Sequence, residues 1–129
     1  MADGMPAIVY QGEGRWALEE RPIPSLRNPD DVLLEVEACG ICGTDLHILE
    51  VPPGHPATPG VILGHEVIGR VAAVGPAVTH LRPGDRVAVA PNLFCGQCRF
   101  CQRGLYNHCE RFTTLGIFLD GGLAPYEVA

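Results

Sequence analysis

The chain has 129 residues, 47% of them apolar, with 16 Gly, 12 Pro and 6 Cys and a formal net charge of −6. That length suits one domain with a real core, and the apolar share excludes a disordered chain. The acidic balance argues against a nucleic-acid partner, which needs a basic face.

The opening MADGMPAIVY lacks the basic-then-apolar pattern of an export signal. Residues 7–10 and 16–19 have strand character, the second ending at Pro22. Between them, GEGRWA at residues 12–17 fits a G-x-G-x-x-A dinucleotide fingerprint. That fingerprint needs a crossover helix to hold the pyrophosphate, and Pro22 and Pro24 leave room for two helical turns at most, so a hairpin is expected. Residues 32–38 alternate, placing Leu34, Val36 and Ala38 on one face and Glu35 and Glu37 on the other. A short helix is expected over 44–50, capped by Thr44 or Asp45, then an irregular loop over 52–59. Residues 66–74 form a longer strand, with Gly69 marking a bulge or bend. The stretch 59–78 is the most apolar in the chain, but His65, Glu66 and Arg70 interrupt it, so it cannot span a bilayer and no membrane is expected. A strand over 86–90 follows the turn RPGD, and a last one starts at Leu123 and runs to Val128. Many short strands between Gly and Pro turns predict a small antiparallel barrel or sandwich.

Four cysteines, Cys95, Cys98, Cys101 and Cys109, are separated by two, two and seven residues. Two-residue gaps fold a chain tightly around one point, as a tetrahedral zinc with four thiolates requires. Gly96 sits where a tight turn lets backbone N–H groups face sulfur, and Arg99, Arg103 and Arg111 are placed to offset the negative charge. Two disulfides are the first rival, and without an export signal a cytoplasmic, reducing compartment opposes them. An iron–sulfur cluster usually takes its fourth cysteine after three residues and before Pro; here it comes after seven residues and precedes Glu110. Four inert thiols in fifteen residues would be a coincidence. Structural zinc is therefore expected, with His108 a bystander.

Cys39 and Cys42 form a second C-x-x-C, ambiguous by itself among redox, metal and neither. Thr44, Asp45 and His47 come just after it, and GHE places His65 and Glu66 further on. A catalytic zinc takes three protein ligands and keeps one open position; Cys42 and His65 supply two. Here the sequence resembles the zinc-dependent medium-chain alcohol dehydrogenases, through CGICGTDLH, GHEVIGRVAAVG, GDRVAV and CGQCRFCQRGLYNHC, over residues 32–128. CGTDLH is most similar to the threonine, polyol and butanediol dehydrogenase branches.

The resemblance implies a mainly β, GroES-like, partly open barrel with short helices and a structural zinc lobe, occupying residues 1–129. It implies that Cys42 and His65 hold catalytic zinc, weakly or only in part in this chain alone, with Glu66 as the neighbouring acid that approaches the metal. Thr44 would take the alcohol proton, His47 would pass it to solvent, and Asp45 would orient the histidine ligand. Cys39 would only pack in the barrel. The reaction would be oxidation of an alcohol or polyol, or reduction of the carbonyl, with NAD or NADP. No cofactor-binding unit is visible, and the chain stops inside its last apolar run. The expectation is therefore a catalytic domain cut before its Rossmann domain, inactive alone, with the third catalytic zinc ligand beyond Ala129. Apolar surface exposed by the cut predicts a homodimer. A stand-alone zinc-binding module and a GroES-like co-chaperonin are the competing readings; the latter needs neither metal cluster.

Overall fold

Strands β1 (Gly4–Gly12) and β2 (Arg15–Pro22) form the expected antiparallel hairpin, pairing Tyr10 with Trp16. The computed structural model describes residues 4–50 and 54–129 of the chain. The GEG at the hairpin tip turns through three left-handed residues, Gly12, Glu13 and Gly14, at φ 88°, 53° and 71°. The glycine pattern thus serves a turn. Met5, Ala7 and Val9 alternate inward along β1, and Tyr10 is buried beside them.

The main sheet has four strands in the order β5 (Arg86–Ala88), β4 (Glu66–Val74), β3 (Val32–Gly40) and β8 (Tyr126–Val128), each antiparallel to its neighbours. The alternation read over residues 32–38 holds only in part. Leu34 is buried opposite Val71, but the register shifts between Val36 and Ala38, and Ala38 emerges on the solvent side. A bulge adds one residue to one strand and re-aims the side chains beyond it. Strand β5 is shorter than expected, although Val89 N–H still donates to Val67 O at 2.9 Å. The helix α1 (Gly43–Ile48) starts earlier than expected: its N-cap is Cys42, and Asp45 is the third helical residue. Asp45 Oδ2 reaches back to accept the Cys42 N–H at 2.9 Å, which satisfies one of the donors a helix start leaves free. Ile48 is 0% exposed and anchors α1 in a core with Tyr10, Ala57, Val61, Leu63 and Ile117; burying such a side chain contributes about 1.5–3 kcal/mol. Of the expected loop, residues 52 and 53 lie outside the described residues, and Gly54 to Thr58 has no regular structure.

Residues 61–64 run as a buried seam between β1 and residues 121–123 rather than as a strand. Tyr10 N–H donates to Val61 O and Leu63 N–H to Ile8 O, at 2.9 and 3.0 Å. On the other side Gly121, Gly122 and Leu123 donate to Ile62, Gly64 and Leu63, at 2.8 to 3.0 Å. The strand expected over 123–128 is therefore divided. Leu123 bonds to the seam, while Tyr126 to Val128 pair with β3, and Pro125, which has no N–H, stands at the changeover. No ladder closes the described sheets into a complete barrel, in agreement with a partly open one. Among the described residues no helix is long and apolar enough to cross a membrane.

Candidate metal centres

The four-cysteine lobe is framed by two short strands, β6 (Asn92–Leu93) and β7 (Thr113–Thr114), with 3-10 turns at Cys101–Arg103 and Tyr106–His108. The ligand atoms of Cys95, Cys98, Cys101 and Cys109 all lie within 4.8 Å of one another, and all six cysteines of the chain are free thiols. Tetrahedral zinc at about 2.3 Å from each sulfur sets the sulfurs about 3.8 Å apart, a spacing that falls within this limit. The turn at Gly96 does what its position predicts: Gln97 and Cys98 N–H groups donate to Cys95 Sγ at 3.4 and 3.3 Å. Cys95 and Arg111 N–H groups donate to Cys109 Sγ, both at 3.3 Å. Backbone donors from Cys101 and Glu110 pull the Cys98 thiol down to about 6, whereas burial pushes Cys101 up to about 12. One thiol ionises readily while its neighbour resists. A divalent cation between them removes the conflict, because a coordinating thiol is deprotonated outright. Arg99 pairs with Glu110 at 3.0 Å and lies over the Phe100 ring, while backbone N–H groups bring positive ends directly to the sulfurs of Cys95 and Cys109. His108 is exposed and tilted against Phe100, outside the ligand cluster.

The second cluster joins α1 to the end of the seam. Cys42 Sγ, a His65 ring nitrogen and a Glu66 carboxylate oxygen lie within 4.8 Å of one another. Glu66, expected as the acid that approaches the metal, thus lies in one cluster with Cys42 and His65. Asp45 is 4% exposed, and its Oδ1 stands 3.7 Å from His65 Nδ1. Neither atom has a hydrogen-bond partner among the described residues, and 3.7 Å is too long for a good bond. Two buried polar atoms facing each other unpaired cost free energy until the gap closes. With Nδ1 turned toward Asp45, Nε2 is the ring nitrogen left free for a metal. Sulfur, nitrogen and carboxylate oxygen from three residues, with Glu66 exposed, fit a zinc that keeps one position open.

The remaining residues ride on α1. Thr44 Oγ1 is 3.7 Å from Cys42 Sγ. His47, three residues on, is exposed, with Nδ1 3.4 Å from Glu50 Oε1. Three residues is close to one turn, so Thr44 and His47 share a face. The other face, with Leu46 and Leu49, lines an apolar cleft of about 290 Å³ under Trp16, which meets the site only through Asp45. Cys39 belongs to neither cluster; it is half-buried, with its sulfur against Gly64. Sequence reasoning missed the tightness at Gly64. The only trace was a glycine directly before the ligand histidine.

The fold and its two clusters define a mainly β domain that carries one four-sulfur cluster and one cluster of sulfur, nitrogen and oxygen donors. Residues 28–129 match the family model for the alcohol dehydrogenase GroES-like domain, and the chain belongs to that family. It is 44% identical over 124 residues to a D-altritol 5-dehydrogenase of Agrobacterium fabrum, covering 96% of this chain and 36% of the relative. The chain therefore spans about a third of that curated relative's length. Among solved structures it resembles a protein of Sinorhizobium meliloti 1021 described as a zinc-binding dehydrogenase bound to NADP. The TM-score is 0.89 at 43% identity, over 98% of this chain and 36% of the other. It also resembles a cobalt- and zinc-bound thermostable alcohol dehydrogenase from Pyrobaculum aerophilum, with TM-score 0.83 at 34% identity, covering 98% and 39%.

Proposed function

We propose that this chain is the catalytic domain of a zinc-dependent alcohol or polyol dehydrogenase. Cys42, His65 and Glu66 form its reactive metal site, and the four cysteines form its structural one. The observation that carries this reading is the pairing of a closed four-sulfur cluster with an open three-ligand cluster beside a hydroxyl and an imidazole. Zinc at the open site supplies Lewis acidity, which eases loss of a proton from an alcohol. Thr44, beside Cys42, accepts that proton through its hydroxyl, and His47 carries it outward near neutral pH. Asp45 holds His65 by its second nitrogen and fixes the ring's orientation. NAD or NADP, when bound, would supply the hydride acceptor or donor. The polyol relative and the NADP-bound structure support that part. Among the described residues α1 is the one α-helix, six residues long, too short to serve as a dinucleotide crossover. The nicotinamide is therefore assigned to a further domain, and the 129 residues alone are expected not to turn over secondary alcohols with NAD(P)+.

Cobalt substitution tests the metal assignment. Two tetrahedral Co2+ per chain with thiolate charge-transfer bands are expected, and Cys42→Ser removes the bands of one only. One cobalt per chain in the unsubstituted protein would point to a zinc-binding interaction module instead. Asp45→Asn is expected to weaken metal at the open site by roughly 10–100-fold, read by competition with a chromophoric chelator, with the four-cysteine site unchanged.

A further inference from the structure

Strand β8 carries an acid that none of this chemistry uses. Glu127 is 2% exposed, and neither of its carboxyl oxygens has a hydrogen-bond partner among the described residues. It sits opposite Leu34 of β3, and its Oε2 lies 3.2 Å from where a side chain at Gly122 would begin, beside Val67 of β4. Gly122 in turn donates its N–H to Gly64 O at 3.0 Å, one residue before His65. No arginine pairs with Glu127 among the described residues. The titratable group that feels its charge is the Cys39 thiol of β3, which Asp45 of α1 and Glu66 of β4 also bear on. All of these are neutral or negative, and Arg21 and Arg27, which line the same cavity as Glu127 with Asp31 and Asp120, leave its carboxyl unpaired. A carboxylate in such a place has lost its water without gaining a partner.

We infer that Glu127 is a proton-operated latch: protonated, it lets β8 close on β3 and residues 121–123 close on the seam, and once ionised it opens that junction. The carboxylate draws water toward itself, and the weakest route in is the changeover at Pro125, where a ladder bond is missing. Residues 61–64, which lead into His65, loosen with it. Burial pushes the carboxyl from its ordinary 4.5 up to about 7. Between those values the folded state holds a proton that the unfolded state has lost. The latch is thus intact below pH 4.5, weakens as pH climbs through this window, and is fully released above 7.

The test compares the zinc-loaded chain with Glu127→Gln and Glu127→Leu by urea unfolding at pH 5 and pH 8, with amide hydrogen exchange at residues 61–64 and 121–123. The unsubstituted chain is expected to lose roughly two orders of magnitude in its folding constant relative to either variant across that interval. Exchange relative to the variants at the same pH should speed up at the junction and at the Ile8 and Tyr10 amides, which donate to Leu123 and Val61, and not in the four-cysteine lobe. Should neither variant fold, carbon NMR of glutamate-labelled chain reads the same group directly, with a titration midpoint near 7 expected. Equal pH dependence in all three proteins, or a Glu127 midpoint in the ordinary carboxylate range, overturns the proposal.

Discussion

Cys109→Ser is expected to release the metal of the four-cysteine lobe and to lower Tm by about 10 °C or more, corresponding to roughly 3–5 kcal/mol. The size of the effect reflects what the lobe lacks. Phe94, Leu105, Tyr106 and Phe112 are all exposed, and its two strands are two residues each. Little apolar burial holds residues 95–109 together, so the ion serves as their core. Cys109 ties the segment at both ends, since its sulfur accepts N–H groups from Cys95, 14 residues away, and from Arg111. Serine keeps the size and loses the soft, ionisable ligand. Calorimetry with metal analysis checks this. A variant that loses this zinc and keeps its Tm would show that the lobe stands without the ion, and one that keeps both would show that Cys109 is not a ligand.

Gly64→Ala is expected to empty the Cys42–His65–Glu66 site while leaving the four-cysteine site filled. Gly64 has φ +99°, and a methyl group there would lie 2.7 Å from Cys39 Sγ and 2.8 Å from both Cγ and the backbone N of Leu123. The left-handed backbone costs about 1–3 kcal/mol for a side-chain-bearing residue, and overpacking adds about 1–3 kcal/mol. Leu123 N–H is the donor to Leu63 O, so relief comes by prising the seam apart, and His65 moves with it. Gly84→Ala is the control: its φ is +95° and a methyl there meets nothing within 4 Å, so it bears the strain without the collision. The measurement is zinc per chain with Tm for both variants. Equal losses in the two would mean that backbone conformation alone, not the crowding behind His65, explains the effect.

What could be read from the sequence was what depends on spacing. The intervals among Cys95, Cys98, Cys101 and Cys109 dictated one cluster, and the structure gathers those sulfurs. The Pro22 and Pro24 argument removed the false fingerprint, and the left-handed GEG turn stands in its place. What could not be read depended on partners distant in the chain. Residues 123–128 look like one apolar strand, yet Leu123 answers to Leu63 and Glu127 to Leu34. Ala38 changes sides because of a register shift that its own neighbours do not announce. Asp45 reads equally well as a cap or as a helix-interior acid. Only the geometry shows one oxygen on the Cys42 N–H and the other facing His65.

In the proposed reading, helix α1 and its N-cap concentrate a ligand, a proton acceptor, a positioning acid and a proton carrier within six consecutive residues, Cys42 to His47. Their directions are set by helical rotation, about 100° per residue. A single inserted residue after Cys42 would leave the sulfur in place and swing Thr44, Asp45 and His47 a quarter-turn away together. This stretch should therefore accept exchanges of side chain far more readily than any change in its length.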